Sequence, residues 1–420
     1  MTNRHELFYN YLAQTSDFPL ALDIDRAEGI YLYGANGEKY VDMISGIGVS
    51  NVGHRHPHVL KAIHQQLDKY LHLMVYGEYI ETPQVKLAEA LVGTLRPHPM
   101  PPCEGGELLN LPPLQGRVEE GLDNVYFTNS GAEAVEGAMK LAKRFTGRSE
   151  IISCFNAYHG STQGALSLAG AEFFKRNFRP LLPDVRHIRF GVLEDLALIT
   201  NRTAAIIIEV ISGEAGVRVP DAAYHQALRA RCTETGTLLV YDEIQTGFGR
   251  TGTFWAFEQF GVAPDILLCA KGMGGGMPIG AFISSKDIMS VFKNNPILGH
   301  ITTFGGHSVS CASSLATLEV IHSEGLAESA VAKGQLIRDL LQHPSIKEIR
   351  GKGLMLAVEF ESFEVLKPII DRAILRAKQG TGVITDWFLF CDNSMRIAPP
   401  LVITDDQIRE ACNIILEAID

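Results

Sequence analysis

Two apolar runs in the middle of this 420-residue chain, Thr237–Tyr241 and Ile266–Ala270, each stop at a charged residue: Asp242 after the first, Lys271 after the second. Open α/β sheets take their ligands outside the carboxyl ends of their strands, so both residues fall where chemistry is usually done. A carboxylate at the end of a buried strand needs a cationic partner or a ligand N–H, because an unpaired buried charge is very costly. A lysine in the same setting is driven toward its neutral, nucleophilic form and suits Schiff-base formation with a carbonyl. A plain Asp242–Lys271 salt bridge is the bland alternative.

Three further stretches can serve the same ligand. In Thr128-Asn129-Ser130-Gly131-Ala132-Glu133-Ala134 a strand turns into a helix, and Ser130 and Glu133 have the spacing of a capping box. Val135, Ala138, Met139, Ala142 and Phe145 then recur on one helical face. Small residues at the helix start, Gly131 and Ala132, let an anion reach free N–H groups and the positive end of the dipole, which suits a phosphate; a merely well-capped helix explains them as well. Tyr158, in Asn156-Ala157-Tyr158-His159-Gly160, either stacks on a planar heterocycle or is a core aromatic beside a core histidine. Arg396, between apolar neighbours in Ser394–Pro400, is a carboxylate fork or an edge-strand charge. A phosphate cradle, a stacking aromatic, an acid for a pyridinium nitrogen, a Schiff-base lysine and a carboxylate arginine together make the set that holds pyridoxal phosphate and an amino acid.

The elements that must position these residues are regular. Strand-like runs at 124–128, 150–154, 186–190, 204–210, 237–241, 266–270 and 280–284 alternate with helical segments, which predicts a mostly parallel seven-stranded sheet covered by helices, an α/β fold. From about 310 onward, helical patterns surround the short pieces Gly353–Phe360 and Ser394–Ala398, and these predict a smaller α+β domain. Residues 28–44 read as a hairpin turning at Asn36-Gly37. The expected division is an N-terminal segment, 1–50, joining the small domain, a large domain over 51–309 and the small domain over 310–420. Residues 96–121 are a proline-rich loop that neither helix nor strand can cross.

Composition narrows the function classes. With 46% hydrophobic and 20% charged residues the chain is an ordinary globular protein, and its formal charge of −11 disfavours nucleic acid or an anionic membrane as a partner. Seven cysteines without a CxxC fit reduced thiols in the cytoplasm. The N-terminus lacks the apolar core of a signal peptide, and the uncharged runs Ile151–Ala171 and Asn294–Leu318 are too broken by polar residues to span a membrane. The cluster His54-Arg55-His56-Pro57-His58 has no carboxylate or cysteine spaced to close a metal site, and Pro57 suits the first turn of a helix.

Nearly the whole chain resembles the class III (ω-amino acid) aminotransferases of the type I pyridoxal-phosphate fold, among them the acetylornithine, ornithine and 4-aminobutyrate enzymes. The marks are Gly53-His54 with His56-Pro57, Asn129–Ala134, Tyr158-His159-Gly160, Glu209 through Glu214-Ala215-Gly216, and Asp242–Gly247 with Gly249–Gly252. They continue in Ala270-Lys271-Gly272, Thr302–Gly306 and Arg396 with Ala398-Pro399-Pro400. The resemblance implies that Lys271 forms the Schiff base with the cofactor and that Asp242 keeps its ring nitrogen protonated. It implies that Gly131 and Ala132 bind the phosphate through backbone N–H groups, that Tyr158 and Ile244 flank the ring, and that Gln245 reaches the ring hydroxyl. It also implies that Thr303 binds the phosphate in the neighbouring subunit, which makes the enzyme a homodimer with shared active sites.

For substrates, the resemblance implies that Arg396 binds an α-carboxylate and that Glu214 pairs with it in turn. Ser161 stands where such enzymes usually carry an arginine for a second carboxylate, and serine cannot make the bidentate contact. Either Lys175 or Arg176 substitutes, or one substrate lacks that carboxylate. The expected reaction moves an amino group from an ω-amino acid such as acetylornithine, ornithine or 4-aminobutyrate to a 2-oxo acid, with 2-oxoglutarate favoured and pyruvate its rival. An aminomutase of the same family and an amine:pyruvate transaminase are the alternatives; a failure to transfer an amino group to an added oxo acid marks the first.

Overall fold

The computed structural model describes residues 4–75, 77–95 and 121–420, so the proline-rich stretch lies, apart from Gly121, outside the described residues. A helix, Arg4–Tyr11, leads into an antiparallel meander of β1 (Ile24–Glu28), β2 (Tyr31–Gly34) and β3 (Lys39–Asp42). β2 and β3 form the expected hairpin, with Gly37 at φ +93° in the turn. β1 escapes a sequence reading because its residues, IDRAE, are mostly polar and lie mostly exposed. The helix expected from Pro57 runs to Leu67, with the His56 side chain accepting the His58 N–H at its start.

The large sheet holds β4 (Asn124–Thr128), β5 (Glu150–Cys154), β6 (Val185–Ile188), β7 (Thr203–Glu209), β8 (Leu238–Asp242), β9 (Ile266–Cys269) and β10 (Gly280–Ser284), in spatial order β4-β10-β9-β8-β7-β5-β6. β10 is antiparallel to both neighbours and the other pairings are parallel. These are the seven runs read from sequence. Successive residues of β7 feed different clusters, Ile206 and Ile208 one, Ala205 and Ile207 the other, so the sheet is apolar on both faces. That is why its central strands read as unbroken apolar runs.

The C-terminal third adds β11 (Glu348–Lys352), β12 (Met355–Glu359), β13 (Thr381–Ile384), β14 (Trp387–Phe388) and β15 (Cys391–Ile397). β11, β12, β15 and β14 form an antiparallel sheet, while β13 pairs in parallel with β3. Buried Arg250 ties three distant stretches together. Its Nη1 donates to the carbonyls of Leu354 (3.0 Å) and Pro399 (2.5 Å), and its Nη2 to Ser45 Oγ (3.2 Å) and Asn51 Oδ1 (2.6 Å).

Candidate active site

β8 and β9 are neighbours, so Asp242, the last residue of β8, and Lys271, two past the end of β9, share one edge of the sheet. A cavity of about 690 Å³ opens at that edge. Gly131, Ala132, Tyr158, Ser161, Glu214, Asp242, Ile244, Gln245 and Lys271 all line it. They come from the chain just past β4, β5, β7, β8 and β9, as expected where parallel strands end together.

Asp242 is not salt-bridged to Lys271. Its carboxylate takes His159 Nδ1 at 2.7 Å and the Ile244 N–H at 3.0 Å, and His159 Nε2 meets Ser153 Oγ at 3.2 Å. Burial alone would depress His159, but the hydrogen bond and charge of Asp242, with the charge of Glu209, leave it above its ordinary value. Glu209 pairs in register with Asp242 across β7 and β8. Burial pushes its carboxyl up to about 7, although it accepts from Gly213 N–H (3.1 Å) and Ser212 Oγ (3.2 Å).

Lys271 sits at φ +44°, an unfavourable backbone for a residue with a side chain. Burial holds its amine below the usual lysine value, against the nearby carboxylates of Glu214, Asp242 and Glu209. The ammonium form is thus weakened at this edge of the sheet.

The helix Gly131–Thr146 starts as predicted, with Ser130 Oγ accepting the Glu133 N–H at 3.3 Å. Only half of the capping box forms. Glu133 Oε2 reaches past Ser130 to Asn129, accepting from its N–H (2.7 Å) and its Nδ2 (2.8 Å). Gly131 and Ala132 sit in the first turn, where N–H groups lack helical acceptors. The cradle is tight: a Cβ on Gly131 would lie 2.7 Å from Ile244 Cδ1, and one on Gly160, at φ +130°, would lie 2.7 Å from Ala132 Cβ.

At the other side of the cavity, Arg396 grips Glu214 through two bonds, Nη1 to Oε1 at 2.9 Å and Nη2 to Oε2 at 3.0 Å. Arg396 is buried and lies behind Glu214, outside the cavity lining. Its charge holds the Glu214 carboxyl below its ordinary value, against burial, which acts most strongly and the other way. Ser161 Oγ is 3.0 Å from Tyr158 Oη. Neither proposed substitute for the missing arginine reaches the cavity: Lys175 Nζ donates to the Ala169 carbonyl at 2.7 Å, and Arg176 lies over the Phe173 ring. Thr303 is exposed and outside the cavity, while Thr302 Oγ1 accepts from Asn129 Nδ2 at 3.0 Å. The histidines at 54, 56 and 58 pair separately with Asp42, Glu324 and Glu319.

Comparison with known proteins decides what this arrangement belongs to. The pattern of the family described as "Aminotransferase class-III" matches residues 11–419. The chain is a class III aminotransferase. It is 35% identical over 418 residues, 99% of this chain and 98% of the relative, to the acetylornithine aminotransferase of Methanopyrus kandleri. It is 37% identical to that of Methanosarcina mazei, over 94% of this chain and 91% of the relative. The crystal structure of the ornithine aminotransferase from Toxoplasma gondii ME49 superposes with a TM-score of 0.84 at 30% identity, covering 99% of this chain and 94% of that one. Class III aminotransferases use pyridoxal phosphate, and the residues at this edge fit it: Gly131 and Gly160 leave no room for a side chain at a helix start, a histidine fixes the buried Asp242 carboxylate, and burial depresses the Lys271 amine.

Three residues of the neighbourhood went unassigned by residue chemistry. His159 fits a core histidine as well as a site residue by its neighbours in sequence, and only the fold shows that it faces Asp242. Glu209 ends an apolar run as Asp242 does, a signal that was available. Asp386, which accepts from Arg396 Nε at 2.8 Å, has none, since the turn that brings it ten positions back onto Arg396 carries no pattern of its own.

Proposed function

We propose that this aminotransferase moves an amino group from an ω-amino acid of the acetylornithine, ornithine or 4-aminobutyrate type to a 2-oxo acid, with 2-oxoglutarate the favoured acceptor, as a cytoplasmic homodimer. The observation that carries the reading is the Arg396–Glu214 pair beside Lys271 and Asp242. A buried arginine whose bidentate partner lines the cavity can take an α-carboxylate when Glu214 turns aside and can be hidden when a donor brings its amine from the other end.

Gly131 and Ala132 would hold the phosphate, Tyr158 and Ile244 the two faces of the ring, Gln245 its hydroxyl and Asp242 its nitrogen. Pyridoxal phosphate, when bound, supplies an aldehyde for the amine and an electron-withdrawing ring. Asp242 keeps its carboxylate aimed because His159 and the Ile244 N–H hold its two oxygens. Lys271 Nζ, weakened as a cation, accepts a proton from the substrate carbon and later returns one.

Ser161 favours a second reading for the acceptor. Among the described residues Lys271 is the one lysine or arginine lining the cavity, and the Ser161 hydroxyl is engaged with Tyr158, so a monocarboxylate such as pyruvate needs nothing this wall lacks. Single-turnover reactions of the holoenzyme with glutamate and with alanine separate the two. Faster reaction of glutamate supports 2-oxoglutarate; a clear preference for alanine overturns it in favour of pyruvate.

A further inference from the structure

Arg396 carries two carboxylates that face different ways. Glu214 occupies both terminal nitrogens and lines the cavity, whereas Asp386 takes the remaining edge, Nε to Oδ1 at 2.8 Å, and does not line it. A guanidinium is a rigid planar fork, so a carboxylate arriving from the cavity competes with Glu214 for the Nη edge and leaves the Nε bond untouched.

The hold on Arg396 from the 385–388 stretch is extensive. Its backbone N–H donates to the Asp386 carbonyl at 2.8 Å, and Thr385 Oγ1 donates to the Arg396 carbonyl at 2.6 Å. The Phe388 ring lies under the guanidinium, 4.4 Å from Cζ to its centre. β14 and β15 pair here, so these contacts belong to the hairpin that bears Arg396. Glu214 comes from elsewhere in the chain and has its own anchor, the Leu389 N–H at 3.2 Å.

We propose that Asp386 is a positioning residue for carboxylate recognition, holding the Arg396 guanidinium in one plane and one place while its Nη edge exchanges Glu214 for a substrate carboxylate. With Asp386 in place the departure of Glu214 leaves the guanidinium still tethered through Nε. Without it the same departure leaves a guanidinium with no acceptor at Nε on a rotatable side chain, and part of the binding energy of the substrate carboxylate goes into rebuilding the geometry. The inference rests on Arg396 being the carboxylate receptor.

The test traps the full-length holoenzyme with aminooxyacetate and with methoxyamine, two aminooxy reagents that capture the same aldehyde and differ by a carboxylate. The ratio of their rate constants measures carboxylate recognition. Arg396→Lys should collapse that ratio; if it does not, the reading of Arg396 itself fails. Given that collapse, Asp386→Ala should lower the ratio about 10-fold through slower aminooxyacetate capture alone, and Asp386→Asn, whose amide oxygen still accepts from Nε, should restore it to within about 3-fold of wild type. Asp386→Ser, too short to reach Nε, replaces the alanine variant if that one yields no folded holoenzyme. An unchanged ratio in the shortened variant, or equal slowing of both reagents, overturns the proposal.

Discussion

His159 Nδ1 lies 2.7 Å from Asp242 Oδ2, and both side chains are shut away from solvent. The contact couples the histidine to the site, because a buried carboxylate with a fixed donor keeps its direction. Ser153, behind the ring, fixes the other nitrogen.

This pairing has a pH signature. His159 is raised above its ordinary 6.5 in the folded chain. A raised histidine contributes stability that is complete below the unfolded value and lost as pH rises through the folded one. In cofactor-stripped protein, wild type should therefore exceed His159→Gln in Tm most at about pH 6 and progressively less above it. Scanning calorimetry across that range checks the trend, and a gap that widens with pH contradicts it.

Gly160 packs the tyrosine-histidine turn against the start of the Gly131–Thr146 helix. A methyl group there would press on Ala132 at 2.7 Å, from a backbone at φ +130° that alanine rarely adopts. Gly160→Ala should cost about 1–3 kcal/mol of stability and weaken pyridoxal phosphate binding roughly 10-fold. Fluorescence titration of stripped protein with the cofactor measures the second effect, and unchanged affinity would show that the two turns are independent.

On the proposed reading, Glu214, which holds both terminal nitrogens of Arg396, competes with substrate carboxylates for it. Removing it frees a guanidinium that is otherwise satisfied, so Glu214→Ala should lower the KM for an α-carboxylate substrate such as glutamate or alanine by about 10-fold. Donors that bring the ω-amine should lose ground in the same variant. Steady-state kinetics with both kinds of donor decide it; a parallel change in both would mean that Glu214 is no gate.

Thr303 is exposed and does not line the cavity of its own chain, and it is flanked in sequence by the exposed apolar residues Ile297, Leu298 and Phe304. Phe304 meets the His72 ring, and Leu71 and Leu73, either side of His72 in sequence, are exposed as well. If this face meets a second copy that receives Thr303, the enzyme sediments as a dimer and Thr303→Ala weakens cofactor binding about 10-fold. A monomer that keeps full activity in analytical centrifugation and assay would contradict the shared site.

Much of this was readable from the chain. The central strands of the large sheet, β7, β8 and β9, declare themselves because both faces are buried and nearly all their residues are apolar, as in Ala204–Ile208. Asp242 and Lys271 stand out as charges that end such runs. Strands that bury one face or none, such as β1 and β11, carry polar residues and give no such contrast. Contacts made only by the order of strands stayed hidden: no spacing says that His159 faces Asp242, or that Asp386 folds back onto Arg396.

The central claim is that Lys271 is the amine that carries the cofactor and handles the proton. Borohydride reduction of the yellow holoenzyme fixes pyridoxal phosphate irreversibly to the amine that holds it, and peptide mass spectrometry then locates the added mass. The account predicts the label on Lys271, with Lys271→Ala taking up no label and showing no multiple turnover; label on another lysine, or sustained turnover by Lys271→Ala, would contradict it.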